Sequence, residues 1–186
     1  MMNFIKRNLC CCVFKTDNKI TTLKNATNNI AEFSLNGFNT IAKIVDVYDG
    51  DTCKAVFYMN KKLTKMTIRM NGYDTPEIRT NNDIERVYGF ACKRIVERMI
   101  LNKLVHIRCY KWEKYGRLLA DIHLQTPKGV ICLNDWIVNN NLAVKYDGKK
   151  KSNFIAHLGD NITMEDIISN YEIPYTEDMD KCIISI

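Results

Sequence analysis

Three short segments carry side chains that could do chemistry together. In Tyr48-Asp49-Gly50-Asp51-Thr52 two carboxylates flank a glycine, an arrangement that can offer hard oxygen ligands to a divalent cation. The second segment runs from Arg69 through Asn71 to Asp74-Thr75-Pro76-Glu77. There Pro76 cannot continue a ladder, so the chain turns out at a strand end, where a guanidinium and the carboxylates Asp74 and Glu77 could converge. The third is Glu113-Lys114-Tyr115-Gly116-Arg117, a turn with an arginine just after its glycine. Each has an ordinary reading when taken alone: a D-G hairpin turn, a surface ion-pair cluster, and a turn followed by a solvent-facing arginine.

The elements that must position these segments follow from periodicity. Ile41 to Val47, Cys53 to Tyr58 and Lys65 to Tyr73 are runs rich in β-branched and aromatic residues, separated by turn signals at Asp49-Gly50-Asp51 and Asn60-Lys61-Lys62. They predict three strands of a meander, and alternation places Arg69, Asn71 and Tyr73 on one strand face. From Asp83 to Leu101 the period changes: Val87, Ala91, Ile95 and Met99 fall four apart, with charged residues on the other faces. That predicts an amphipathic helix. Two more strand-like runs follow, Val105 to Trp112 and Leu118 to Leu124, and then a short helix face at Leu133, Trp136 and Ile137. Five strands with an inserted helix fit a small closed barrel, so the expected fold is α+β and mainly β: a five-stranded OB-fold barrel with two or three helices.

Length and composition allow one such domain with additions. Of 186 residues, 46% are hydrophobic, enough for one real core and too little chain for two full domains. Residues 1–37 read as a polar, asparagine-rich leader without sustained period, residues 38–151 as the barrel domain, and residues 152–186 as an acidic segment in which 164–171 could form a short helix. Asp160, Glu165, Asp166, Glu172, Glu177, Asp178 and Asp180 face only Lys181 in that tail, so the net charge of +6 understates how basic the rest of the chain is. A basic surface suits a polyanion and is also common on proteins that bind none.

The eight cysteines include no C-x-x-C pair. Cys53, Cys92, Cys109, Cys132 and Cys182 are scattered through apolar patterns and read as small hydrophobes in a reducing, intracellular compartment. Cys10, Cys11 and Cys12 are adjacent, and with Lys6, Arg7 and Phe14 they allow two readings: an S-acylated, basic membrane anchor or a disordered cysteine-bearing leader. No run approaches the roughly 18 to 20 apolar residues that span a bilayer.

In their order and spacing, D-G-D-T, then R-x-x-x-x-D-T-P-E, a helix containing Y-G, then K-Y-G-R-x-L-A, the segments resemble the staphylococcal nuclease (thermonuclease) family, from about Asn39 to Lys149. The resemblance implies a calcium-dependent endonuclease cutting DNA, and RNA as a further substrate, to leave 3′-phosphate ends. It also implies roles. Asp51 and Asp74 match calcium-binding carboxylates, Thr75 would add its backbone carbonyl, and Asp49 lies beside the site. Glu77 matches the general base, Arg69 and Arg117 match the pair that grips the phosphate, and Lys114, Tyr115 and Tyr146 fall near substrate-contacting positions. The basic C-terminal helix of the bacterial enzyme has no counterpart in the acidic tail. A monomer without a protein partner is expected.

The chemistry independently asks for these residue types. A phosphodiester attacked by water gathers negative charge on its equatorial oxygens, which the planar guanidinium fork meets two at a time. Two other readings remain open at this point. A catalytically silent nuclease-like module binding nucleic acid would not need the full set Asp51, Arg69, Asp74, Glu77 and Arg117. A sequence-neutral single-strand binder on an OB-fold would have no use for Glu77.

Overall fold

The computed structural model describes residues 17–148, 164–171 and 173–174. The Cys10 to Cys12 cluster, Cys182 and Lys149 to Lys151 lie outside them. The chain divides into two compact units, Met1–Phe33 and Ser34–Ile186. Within the first, a helix the sequence pattern did not announce, α1 (Asp17–Lys24), is exposed along its length from Asn18.

In the second unit β1 (Asn39–Val47), β2 (Thr52–Met59) and β3 (Lys62–Met70) form the expected meander. After a two-residue strand β4 (Tyr73–Asp74) and helix α2 (Asp83–Ile100) come β5 (Leu104–Trp112) and β6 (Leu118–Thr126). The order β3-β2-β1-β5-β6 closes on itself because β3 also pairs with β6, in parallel, at Ile68–Leu118, Arg69–Leu119 and Met70–Ala120. That pairing closes β1, β2, β3, β5 and β6 into a barrel. Strand β7 (Gly129–Cys132) extends the sheet beyond β6, α3 (Leu133–Asn139) follows, and β8 (Val144–Lys145) pairs with β4. With α4 (Met164–Ser169) this is the α+β, OB-fold-like barrel expected, with four helices among the described residues.

The barrel interior follows from alternation. Leu118, Ala120, Ile122 and Leu124 of β6 are buried while the residues between them are partly exposed. Ala42, Ile44, Cys53, Ala55, Phe57, Ile68, Val105, Ile107 and Cys109 complete the lining. Helix α2 starts at Asn82, whose side chain accepts from the Glu85 amide at 3.0 Å, and it buries Cys92, Ile95, Val96, Met99 and Ile100 against the barrel. Within the tail, α4 packs on α2 through the buried Ile167.

One expectation is corrected. The third strand does not run through Tyr73: it stops at Met70, and Gly72 takes φ +85°, which interrupts the pleat. Tyr73 therefore turns into the core, 1% exposed, and does not share a face with Arg69 and Asn71.

Candidate active site

Strand ends build the site. Pairing of Thr52 with Arg69 across β2 and β3 sets the D-G-D-T turn beside the third strand's exit. The parallel β3–β6 contact then brings in the chain just after the Tyr115-Gly116 turn. That turn is closed by Gly116 N donating to Glu113 O and by Glu113 N donating to Arg117 O, each at 2.9 Å, with Gly116 at φ +77°. The pairing of β4 with β8 delivers Tyr146, whose amide donates to Gly72 O at 3.0 Å.

The result is one cleft of about 870 Å³. Asp49, Asp51, Arg69, Asp74, Thr75, Glu77, Lys114, Tyr115, Arg117 and Tyr146 all line it, so every site residue picked from the sequence comes to one place. Tyr48, Lys111, Trp112 and Glu113 line it as well.

Arg69 is 6% exposed and held on three sides. Its Nη1 lies 3.0 Å from Asp51 Oδ2 and donates to Met70 O at 3.1 Å, and its Nη2 donates to Asp74 Oδ1 at 2.9 Å. Asp51 Oδ2 also accepts from the Thr75 hydroxyl at 3.2 Å, and Asp51 Oδ1 accepts from the Thr52 hydroxyl at 2.8 Å. The Thr52 oxygen in turn accepts from Arg117 Nη1 at 3.2 Å, so Thr52 links the two arginines' networks. Arg117 holds Glu113 with a two-pronged contact: Nε donates to Oε1 and Nη2 to Oε2 at 3.1 Å. That bond to Glu113 pushes the already high pKa of Arg117 further up. A guanidinium has five donors, and these contacts use three on each arginine, leaving donors for a bound oxyanion.

The acids beside them crowd one another. Asp49 Oδ1 accepts from the Asp51 amide at 3.0 Å, and burial, then the Asp51 carboxylate, push the Asp49 acid up to about 7. Among the described residues no three His, Cys, Asp or Glu side chains form a metal cage. The hard oxygens that do gather are the Asp51 and Asp74 carboxylates around Arg69 and the Thr75 hydroxyl on Asp51, a donor type that suits an open, water-completed site for a hard divalent cation.

Glu77 is exposed at the cleft rim, and α2 sets its backbone in place. The Glu77 amide donates to Glu85 Oε1 at 3.3 Å. Gly89 lies so close beneath that a Cβ there would stand 2.8 Å from Pro76 O and 3.1 Å from Glu77 O. Gly50 is similarly pinned, its Cβ position lying 2.6 Å from Cys92 Sγ, while Tyr73 donates its hydroxyl to Gly50 O at 3.0 Å.

Several positioning residues escaped the sequence reading. Glu113 and Thr52 look like turn residues there, and Glu85 like one more charge on a helix. Asn134, 5% exposed, accepts from Ile122 N at 3.0 Å and donates to Asn71 O at 2.9 Å, tying β6 to the loop that leads to Asp74. Its only signal is a polar residue where α3 turns toward the core.

Comparison with known proteins agrees with this geometry. Residues 67–159, half of the chain, match the family described as staphylococcal nuclease homologue; that stretch includes Arg69, Asp74, Glu77 and Arg117 and begins after Asp51. An uncharacterized protein of Methanocaldococcus jannaschii is 30% identical over 139 residues, covering 64% of this chain and 65% of that protein. A protein of Candida glabrata named as probable endonuclease LCL3 is 32% identical over 105 residues, covering 55% of this chain and 40% of that protein. The chain thus spans less than two thirds of the length of either relative. With half of the chain matched and a closed barrel as its core, the protein belongs to the staphylococcal nuclease homologue family.

Proposed function

We propose that the protein is a calcium-dependent endonuclease that hydrolyses phosphodiester bonds of DNA and also of RNA, leaving 3′-phosphate ends. The single observation that carries this reading is the meeting of Arg69, Arg117, Asp51, Asp74 and Glu77 in one cleft. A polyanion-binding barrel needs the arginines but has no use for an exposed carboxylate in the same cleft.

In this reading the remaining donors of Arg69 and Arg117 take the equatorial phosphate oxygens, where charge accumulates as water attacks. Asp51 and Asp74 keep Arg69 aimed into the cleft, and Glu113 and Thr52 do the same for Arg117. Glu77 accepts the proton of the attacking water, and its exposed position at the rim leaves room for that water. Asp51, Asp74 and the Thr75 carbonyl would hold calcium, which when bound would supply Lewis-acid neutralisation of a phosphate oxygen. Lys114, Tyr115 and Tyr146 contact the flanking nucleotide; the Lys114 ammonium lies over the Tyr115 ring, 4.8 Å from its centre, so the cation and the aromatic ring stand together at the cleft. The relative named as a probable endonuclease supports the same class of activity.

Supercoiled plasmid incubated with the full chain tests this directly. Nicking and linearisation are expected in millimolar calcium, with 3′-phosphate termini and little cleavage in magnesium. Undiminished cleavage in excess chelator would remove the metal role given to Asp51 and Asp74.

A further inference from the structure

The far end of the β2–β3 hairpin carries an exposed surface that the cleft does not use. Tyr58 and Leu63 stand directly opposite each other across the two strands and are 67% and 65% exposed. Cross-strand partners share a face, and so do residues two apart along a strand. Val56, paired with both Lys43 of β1 and Lys65 of β3, therefore puts Ile41, Lys43, Tyr58, Leu63 and Lys65 on one outer face. Ile41 is 36% exposed there.

Around this apolar centre the charge has one sign. Lys43 and Lys65 on the face and Lys61 at its tip are all exposed, and among the described residues none of them is in an ion pair. The one acid within β1, β2 and β3 is Asp46, which Lys54 neutralises at 2.7 Å. The apex adds a second sign of purpose. Asn60 and Lys61 take φ +49° and +65°, a two-residue turn whose second position favours glycine, yet a lysine is held there. A left-handed lysine is uncommon, and this one places a cation at the hairpin tip.

We propose that this outer face of the β1–β2–β3 meander is a docking surface for an anionic lipid bilayer. Tyr58, Leu63 and Ile41 would enter the headgroup boundary, the tyrosine ring among the acyl carbons and its hydroxyl in water. Lys43 and Lys65 on this face and Lys61 at its tip would lay their stems along that boundary and keep their ammonium groups at the lipid phosphates and carboxylates. A nucleic-acid strand fits this face less well, because Leu63 and Ile41 gain nothing from phosphates and cannot stack on bases. The site and the cleft are also separated: Thr52 at the cleft and Tyr58 at the tip lie six residues apart on one strand, about 20 Å at 3.3 Å per residue. A bilayer on the tip leaves the cleft open.

Co-sedimentation of the full chain with vesicles tests this, using phosphatidylcholine alone and phosphatidylcholine mixed with phosphatidylserine. The parent should bind the mixed vesicles at least tenfold more tightly than the neutral ones. Because each lysine near an anionic leaflet is worth about a fivefold change, Lys43→Glu/Lys61→Glu/Lys65→Glu should lose binding by more than tenfold. Tyr58→Ser/Leu63→Ser should weaken it roughly tenfold with the charge intact. Both variants should keep the parent's melting temperature within a few degrees and its DNA affinity within twofold, which separates this face from the cleft. Equal binding to both vesicle types, or variants that bind like the parent, overturns the proposal. So does a tenfold loss of DNA affinity in the variants, which would assign the face to nucleic acid.

Discussion

Gly89→Ala separates local helix stability from the positioning of Glu77. Gly89 sits inside α2, where alanine should be favoured by about 1 kcal/mol on helix propensity alone. The added Cβ, however, would meet Pro76 O at 2.8 Å and the Glu77 carbonyl carbon and oxygen at 3.1 Å. These are backbone atoms and cannot swing away, so the segment carrying Glu77 must retreat by roughly half an ångström to reach ordinary contact. Its tether to Glu85, already 3.3 Å long, would stretch with it. A general base displaced by this much should cost roughly 10- to 100-fold in kcat, since misplacement by about 1 Å can cost 10²-fold. The propensity gain and the overpacking, typically about 1 to 3 kcal/mol, oppose each other, so the melting temperature should move only a few degrees. Steady-state cleavage of a defined DNA, beside thermal unfolding and binding of uncut DNA, reads all three quantities. A variant with the parent's kcat would refute the claim that α2 positions the Glu77 backbone.

Arg117→Lys keeps the charge but cannot make the fork that holds Glu113 and would hold phosphate, so kcat should fall by about 10²- to 10³-fold; a tolerant site would show cleavage within a few-fold of the parent. Stability should depend on His106, whose pKa is lowered by burial and then by the neighbouring His123. The unfolded chain takes up that proton first, so the contribution is fully present above about pH 6.5 and is lost as pH falls toward the lowered folded value. His106→Gln should flatten the urea-midpoint profile across that window, and an unchanged profile would place the pH response elsewhere.

The sequence exposed the chemistry and the local elements more fully than the connections between them. Alternation in Leu118 to Leu124 and the four-residue spacing from Val87 to Met99 are one-dimensional signals, and they mark β6 and α2 to within a few residues. The ten residues singled out from the sequence line one cleft, and they could be picked out because their order and spacing form a pattern no turn or ion pair requires. The end of β3 was not, because Gly72 reads as one more strand residue until its positive φ is known. Strands of two to four residues, such as β4, β7 and β8, carry no period to detect. Helix α1 went unread because its residues show no apolar face. The positioning roles of Glu85 and Asn134 depend on partners brought close only by folding, such as Asn71 to Asn134, and that of Glu113 on the turn that folds Arg117 back onto it, so residue type alone could not reveal them.

The central claim is that Glu77 takes the proton from water in a cleft where two arginines hold the phosphate. Glu77→Gln changes one proton-accepting oxygen at nearly constant volume, so the fold and affinity for uncut DNA should remain close to the parent's. Single-turnover cleavage of one DNA substrate in calcium should then slow by about 10²- to 10⁴-fold in the variant. Cleavage at the parent's rate would contradict the account and show that the nuclease chemistry, if present, does not pass through Glu77.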